Sequence, residues 1–140
     1  MTPEVEEAVE EVRTHFPNAA VQVAPDKDGG ACVIVDGVDL GTPYEQADTW
    51  VGFHITQACP YADVYPHFVR VDLSRIDKKP LGEGLSTGQT FPQPGVVEGD
   101  EMKSRSAVQI SRRSNKRDPN SDLETPLLKL LKVLRWLRSR

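Results

Sequence analysis

Sulfur, histidine and long apolar runs are all scarce in this chain. It has two cysteines, Cys32 and Cys59, and three histidines, His15, His54 and His67. No Cys-x-x-Cys pair occurs, which argues against a zinc site or a disulfide framework. The histidines stand alone, without the spacing of metal ligands, so neither metal nor cofactor is expected. No apolar run approaches the roughly 20 residues of a membrane span. The opening MTPEVEEAVEEV is acidic, with no basic stretch leading into an apolar one, so no secretory signal is expected. A reducing cytoplasm is the expected location.

The composition is that of a globular domain. At 140 residues, 38% hydrophobic and 27% charged, the chain is expected to form a single domain over 1–140, with a core that needs no covalent staples. The net charge of −4 hides an asymmetry. Residues 103–140 hold 11 of the 17 Lys and Arg but only 3 of the 21 Asp and Glu. That basic quarter is either a solvated helix face or a docking surface for an acidic partner.

The chain is organised around Ala47–Leu73, which reads as strand, proline-bracketed loop, strand. Trp50–Ile55 and Phe68–Leu73 carry the β-branched and aromatic residues that suit a pleated, half-buried surface. Pro60 and Pro66 cannot donate to a β-ladder, so Cys59–Pro66 should leave the sheet. Upstream, Thr2 suits an N-cap and Pro3 the first helical position, and Val5, Ala8, Val9, Val12 and Phe16 repeat at helical spacing. An amphipathic helix is expected over Pro3–His15. Val21–Ala24 and Ala31–Val35, joined by a polar turn, read as a hairpin. Helix followed by a four-stranded antiparallel meander is the economical topology.

Arg75–Arg105 is rich in Pro and Gly with little apolar periodicity, and a long irregular loop over the sheet is expected. Its Gly82–Gly88 stretch has no Lys before Ser or Thr and no following helix, which argues against a phosphate cradle. Ala107–Ile110 is a short extended piece. A final helix should begin at Pro126, capped by Asp122 or Thr125. Leu127, Leu130, Leu131, Leu134 and Leu137 would form its buried face; Lys129, Lys132, Arg135 and Arg138 would lie largely opposite.

No nucleotide, metal or hydrolase motif stands out. Cys59, before a proline in a loop, is the one candidate nucleophile. Nothing adjacent supplies the cation or helix N-terminus that would lower its pKa. Cys32 reads as a small core residue. Asp72 and Asp77 are a candidate carboxylate pair.

The order of elements resembles the ubiquitin-conjugating-enzyme fold and its non-catalytic relatives, the RWD and ubiquitin-conjugating-enzyme-variant domains. In that family a loop of the type Tyr-Pro-x-x-x-Pro-Pro joins the third and fourth strands, and Cys59-Pro60 to Tyr65-Pro66 looks like a stretched version. Val108–Leu137 looks like the family's catalytic strand, polar loop and second helix. The family's nucleophilic cysteine follows a His-Pro-Asn tripeptide and precedes that helix. The corresponding stretch here, Ala107–Ser111, is AVQIS, and no cysteine follows Cys59.

The resemblance therefore implies an α+β, RWD-like domain that is not an enzyme. It is similar to the RWD-like components of bacterial ubiquitin-like conjugation operons, which are associated with antiphage defence. It implies an adaptor that binds a conjugating enzyme, an activating enzyme or the ubiquitin-like protein itself, within a hetero-oligomer. Aromatic and arginine side chains are the usual interface anchors, so the candidate partner-binding residues are Tyr61, Tyr65, His67, Arg112, Arg113, Arg117 and Trp136. Two rival readings are a divergent conjugating enzyme using Cys59 as thioester nucleophile, and a nucleic-acid-binding module using the basic C-terminal region. The scarcity of aromatics and the acidic remainder of the chain argue against the second.

Overall fold

The computed structural model describes residues 1–98, 101–114 and 124–140. Among the described residues the architecture is α+β: two helices and a six-stranded antiparallel sheet. In chain order these are α1 (Pro3–His15), β1 (Ala20–Pro25), β2 (Ala31–Asp39), β3 (Asp48–Ile55), β4 (His67–Arg70), β5 (Leu85–Glu98), β6 (Glu101–Ile110) and α2 (Pro126–Arg138). Across the sheet the order is β1-β2-β3-β4-β6-β5. Among the described residues no helix is long and apolar enough to cross a membrane.

Both helices start as their sequences dictate. The Thr2 hydroxyl accepts from Val5 N at 3.2 Å and the Thr125 hydroxyl from Leu128 N at 3.1 Å, each ahead of a proline in the first turn. Val5, Ala8, Val9 and Val12 form the buried stripe of α1. In the sheet the two-residue period sorts the faces. Ala31, Val33 and Val35 of β2, Val51, Phe53 and Ile55 of β3, and Val108 and Ile110 of β6 share one core with both helices. Tyr44 closes this core: its hydroxyl donates to Leu137 O at 2.9 Å, while Arg138 donates to Asp39 O. The last turn of α2 is thereby tied to the end of β2.

Two expectations need correction. The sheet has six strands rather than four, because Arg75–Arg105 is not an irregular loop. Most of it is β5 and the first half of β6, a long hairpin in which β6 lies between β4 and β5. Pro92, Pro94 and the glycines misled because β5 is an edge strand. A proline there need not break a ladder, and register shifts between Ser86 and Gln89 and between Pro92 and Val97 absorb the irregularity. The strand after the proline loop is also shorter than Phe68–Leu73, since β4 ends at Arg70.

The far half of the hairpin bends across the face opposite the helices, bringing β5 close to β1 and β2. Phe91 is buried there with Ile34 and Ala107, against Trp50 and Phe68. Its ring centroid lies 5.0 Å from that of Phe68. Gly52 makes room for it: a Cβ at position 52 would sit 2.6 Å from two Phe91 ring carbons. Gly52→Ala should therefore destabilise the fold by about 1–3 kcal/mol in urea titration, the usual range for overpacking. Combining it with Phe91→Leu should cost less than the sum of the two single changes. Strict additivity would show that the ring does not lie over Gly52.

Candidate functional site

The proline loop is held against α2 by a buried charge. Lys129 lies in the buried face of α2 with its side chain 4% exposed, and its ammonium donates to Asp63 Oδ1 at 2.8 Å. It also donates to Ser114 Oγ at 2.7 Å. The other Asp63 oxygen accepts from Ser114 N at 2.8 Å. Ser114 Oγ in turn donates to Glu124 Oε1 at 2.5 Å, and Lys132 donates to Glu124 Oε2 at 2.6 Å. Three segments distant in sequence thus meet: the loop after β3, the segment after β6 and the first turns of α2. Burial acts to raise the Asp63 pKa, but the Lys129 ammonium and the Ser114 N–H outweigh it and hold the carboxyl below its usual range.

An exposed patch stands on this foundation. The Arg113 guanidinium sits 3.9 Å from the Tyr65 ring centroid. Arg112 lies 4.9 Å and Arg140 4.6 Å from the Trp136 ring. Arg112, Arg113, Ser114, Lys129, Lys132 and Trp136 line a shallow pocket of about 290 Å³. Lys129, Lys132, Val133 and Trp136 follow the helical i, i+3, i+4, i+7 pattern, so the ridge that buries Lys129 also presents Trp136.

Of the residues singled out in the sequence, Tyr65, Arg112, Arg113 and Trp136 come together here. Tyr61 is 60% exposed on the same loop as Tyr65. Arg117 lies outside the described residues. His67 does not belong to any surface: it is 0% exposed, tilted against Phe53 at 5.5 Å, and neither ring nitrogen has a hydrogen-bond partner among the described residues. At the start of β4 its side chain points to the helix side of the sheet, as Val69 does two residues later.

Cys59 is buried rather than exposed, and with Pro60 it lines a small cavity beside Glu4, Glu7 and Glu11. Cys32 lies half-buried on the outer face of the sheet; burial and, second, Asp26 raise its pKa. Asp72 and Asp77 do not pair, since each is forked by the arginine two residues before it, Arg70 and Arg75. The Arg75 hydrogen bond, joined by the Lys79 N–H, holds Asp77 at about 2. Among the described residues, no group of three His, Cys, Asp or Glu side chains is placed to hold a metal ion. A larger cleft of about 650 Å³ opens on the outer face beside Trp50. In it Arg70 binds Asp72 and reaches Asp48, while Arg105 lies 4.8 Å from the Trp50 ring with no hydrogen-bond partner for its buried Nε among the described residues.

The buried lysine was missed because the polar face of α2 was phased on its leucines. The buried positions are Pro126, Lys129, Leu130, Val133, Leu134 and Leu137. Val133, four residues after Lys129, was the available signal. The chain matches no protein-family model, no curated protein and no solved structure.

Removing one partner of a buried ion pair leaves the other uncompensated, at a cost of about 3–5 kcal/mol. Asp63→Leu, which leaves the buried Lys129 ammonium without its carboxylate, should lose stability in that range by urea titration. Lys129→Met with Asp63→Leu should recover much of it, and full additivity of the two losses would mean the pair is not formed.

His67 makes a separate prediction about pH. Burial and, second, the Lys129 charge push its pKa down to about 3, against the pull of Asp63 and Glu124. The unfolded histidine titrates near ~6.5. Between these values the unfolded chain binds the extra proton. The stability is therefore fully present above ~6.5 and falls by about 1.4 kcal/mol per pH unit below it. The stability difference between the parent and His67→Leu should shrink by about 2–3 kcal/mol from pH ~6.5 to ~4.5. A constant difference over that window would contradict a neutral, buried His67.

Proposed function

We propose that this chain is a non-catalytic adaptor in a ubiquitin-like conjugation pathway, an RWD-like relative of conjugating enzymes that docks one component against another, in the setting of bacterial antiphage defence. The observation that carries a binding role is the convergence of two exposed arginines, Arg112 and Arg113, on two half-buried aromatic rings, Trp136 and Tyr65. Arginines seated on aromatic rings are rigid and only partly desolvated, which is the make-up of interface anchors.

The chemistry of the thiols supports the same reading. A carrier of activated ubiquitin-like protein needs a thiolate, because a thioester reacts readily with amines and a serine oxyester does not. The stretch corresponding to the family's nucleophile, Ala107–Ser111, contains no cysteine. Cys59 is buried, 8% exposed, so it is not presented to an incoming thioester. The β5–β6 hairpin is an addition to the four-stranded meander that the resemblance implies.

The test combines the protein with the activating enzyme, ubiquitin-like protein and conjugating enzyme of its own genome. No reductant-sensitive adduct should form on this chain, and it should co-elute with one component in size-exclusion chromatography. Arg112→Glu with Arg113→Glu should abolish co-elution while leaving the melting curve intact. An adduct that disappears in Cys59→Ala would replace the adaptor with a divergent conjugating enzyme. Failure to co-elute with every component would reject the pathway assignment.

A further inference from the structure

The cations of the Trp136 pocket are not equivalent. Lys129 is answered by Asp63 and Lys132 by Glu124. Arg140 donates to Glu83 O. Arg112 and Arg113 are exposed, and no carboxylate pairs with either among the described residues. A guanidinium over an aromatic ring uses its flat face there and keeps its in-plane N–H donors, which match a carboxylate two-to-two. Arg112 and Arg113 thus lie against Trp136 and Tyr65, and among the described residues no carboxylate meets their donors.

The charge distribution narrows the choice of anion. The molecule carries a net charge of −4, with 18 of its 21 acidic residues before residue 103. An acidic segment is repelled by most of this protein and attracted at this end, which fixes its orientation on approach. Single-stranded nucleic acid fits less well, because its binding combines phosphate contacts with bases stacked on open aromatic faces. Here Trp136 already carries Arg112 and Arg140, and Tyr65 carries Arg113.

We infer that the pocket between Arg112, Arg113 and Trp136 docks an acidic peptide segment of a protein partner, with carboxylates forked by the two arginines. This rests on the adaptor reading only in assigning the segment to a pathway component; the pocket chemistry stands without it.

A short fluorescein-labelled Glu-rich peptide, titrated with the full chain at low salt and followed by anisotropy, tests the pocket. Its Gln counterpart and a labelled single-stranded oligonucleotide are run alongside. The Glu peptide should bind saturably and the Gln peptide should not. Arg112→Gln and Arg113→Gln should each weaken binding by about tenfold, the effect of one charge-assisted hydrogen-bonded contact. Lys27→Gln, at an exposed lysine outside the pocket, should leave binding unchanged. Equal binding of the Gln peptide, or full binding by the Arg112→Gln/Arg113→Gln chain with an unchanged melting curve, would overturn the proposal. Tighter binding of the oligonucleotide at the same salt would overturn it in favour of a nucleic-acid surface. Glu-peptide binding by a chain that co-elutes with no pathway component would sustain the pocket and remove the adaptor.

Discussion

A lysine ammonium buried in a helix face must find its counter-charge inside the protein, and for Lys129 that counter-charge is Asp63. The two are brought together from a loop between strands and from the last helix. Leu130, Val133, Leu134 and Leu137 would pack against the sheet over a range of helix rotations, since hydrophobic burial has no direction. The ion pair does have one. An apolar pair of similar volume is often no less stable than a buried salt bridge, whereas a buried charge without its partner is strongly unfavourable. The Lys129–Asp63 pair therefore acts mainly as a register device. It penalises every rotation of α2 that separates the two, and the surviving rotation sets Trp136 beside Arg112.

The same pair constrains what lies beneath it. His67 is fully buried and close enough to Lys129 to feel its charge. A second positive charge there would have to be accommodated without water, so the ring is neutral across the ordinary pH range. Ser114 relays the network outward to Glu124 and Lys132, where it meets solvent. His67 and Lys129 are the buried members of this chain of groups, Asp63, Ser114 and Glu124 are partly buried, and Lys132 reaches solvent.

Legibility from sequence followed how local the controlling interactions were. Both helices were legible because Thr2-Pro3 and Thr125-Pro126 act within one turn, although the sequence does not decide the second cap between Asp122 and Thr125. The strands β1, β2 and β3 were legible because their alternation faces a continuous core. The β5–β6 hairpin was not, because Pro92 and Pro94 are tolerated for a reason visible only when the strand is seen at the sheet edge. The Phe91–Gly52 contact joins residues of two strands that are not neighbours in the sheet, a placement no local pattern encodes. Tyr65, Arg112, Arg113 and Trp136, which the structure brings together, were singled out by residue type. Their foundation was missed, since Asp63 and Lys129 are 66 residues apart and Lys129 looks like any solvated helix lysine. His67 erred in the other direction. It stands next to Pro66 in a loop-like context, but the two-residue period that starts with it turns the ring inward.

These placements divide the chemistry of the molecule. Its thiols are withdrawn: Cys59 lies against the acidic side of α1 and Cys32 under the folded hairpin arm. The carboxylates at the ends of the strands are committed to neighbouring arginines. Among the described residues, Arg112 and Arg113 are exposed guanidiniums on aromatic rings with no carboxylate partner, and Arg105 lies over Trp50 on the outer face. A group-transfer site needs a nucleophile whose charged form is accessible and favoured. A recognition site needs donors already oriented, so that little entropy remains to be lost on binding. The Lys129–Asp63 ion pair ties the proline loop, which carries Tyr65, to the helix that carries Trp136.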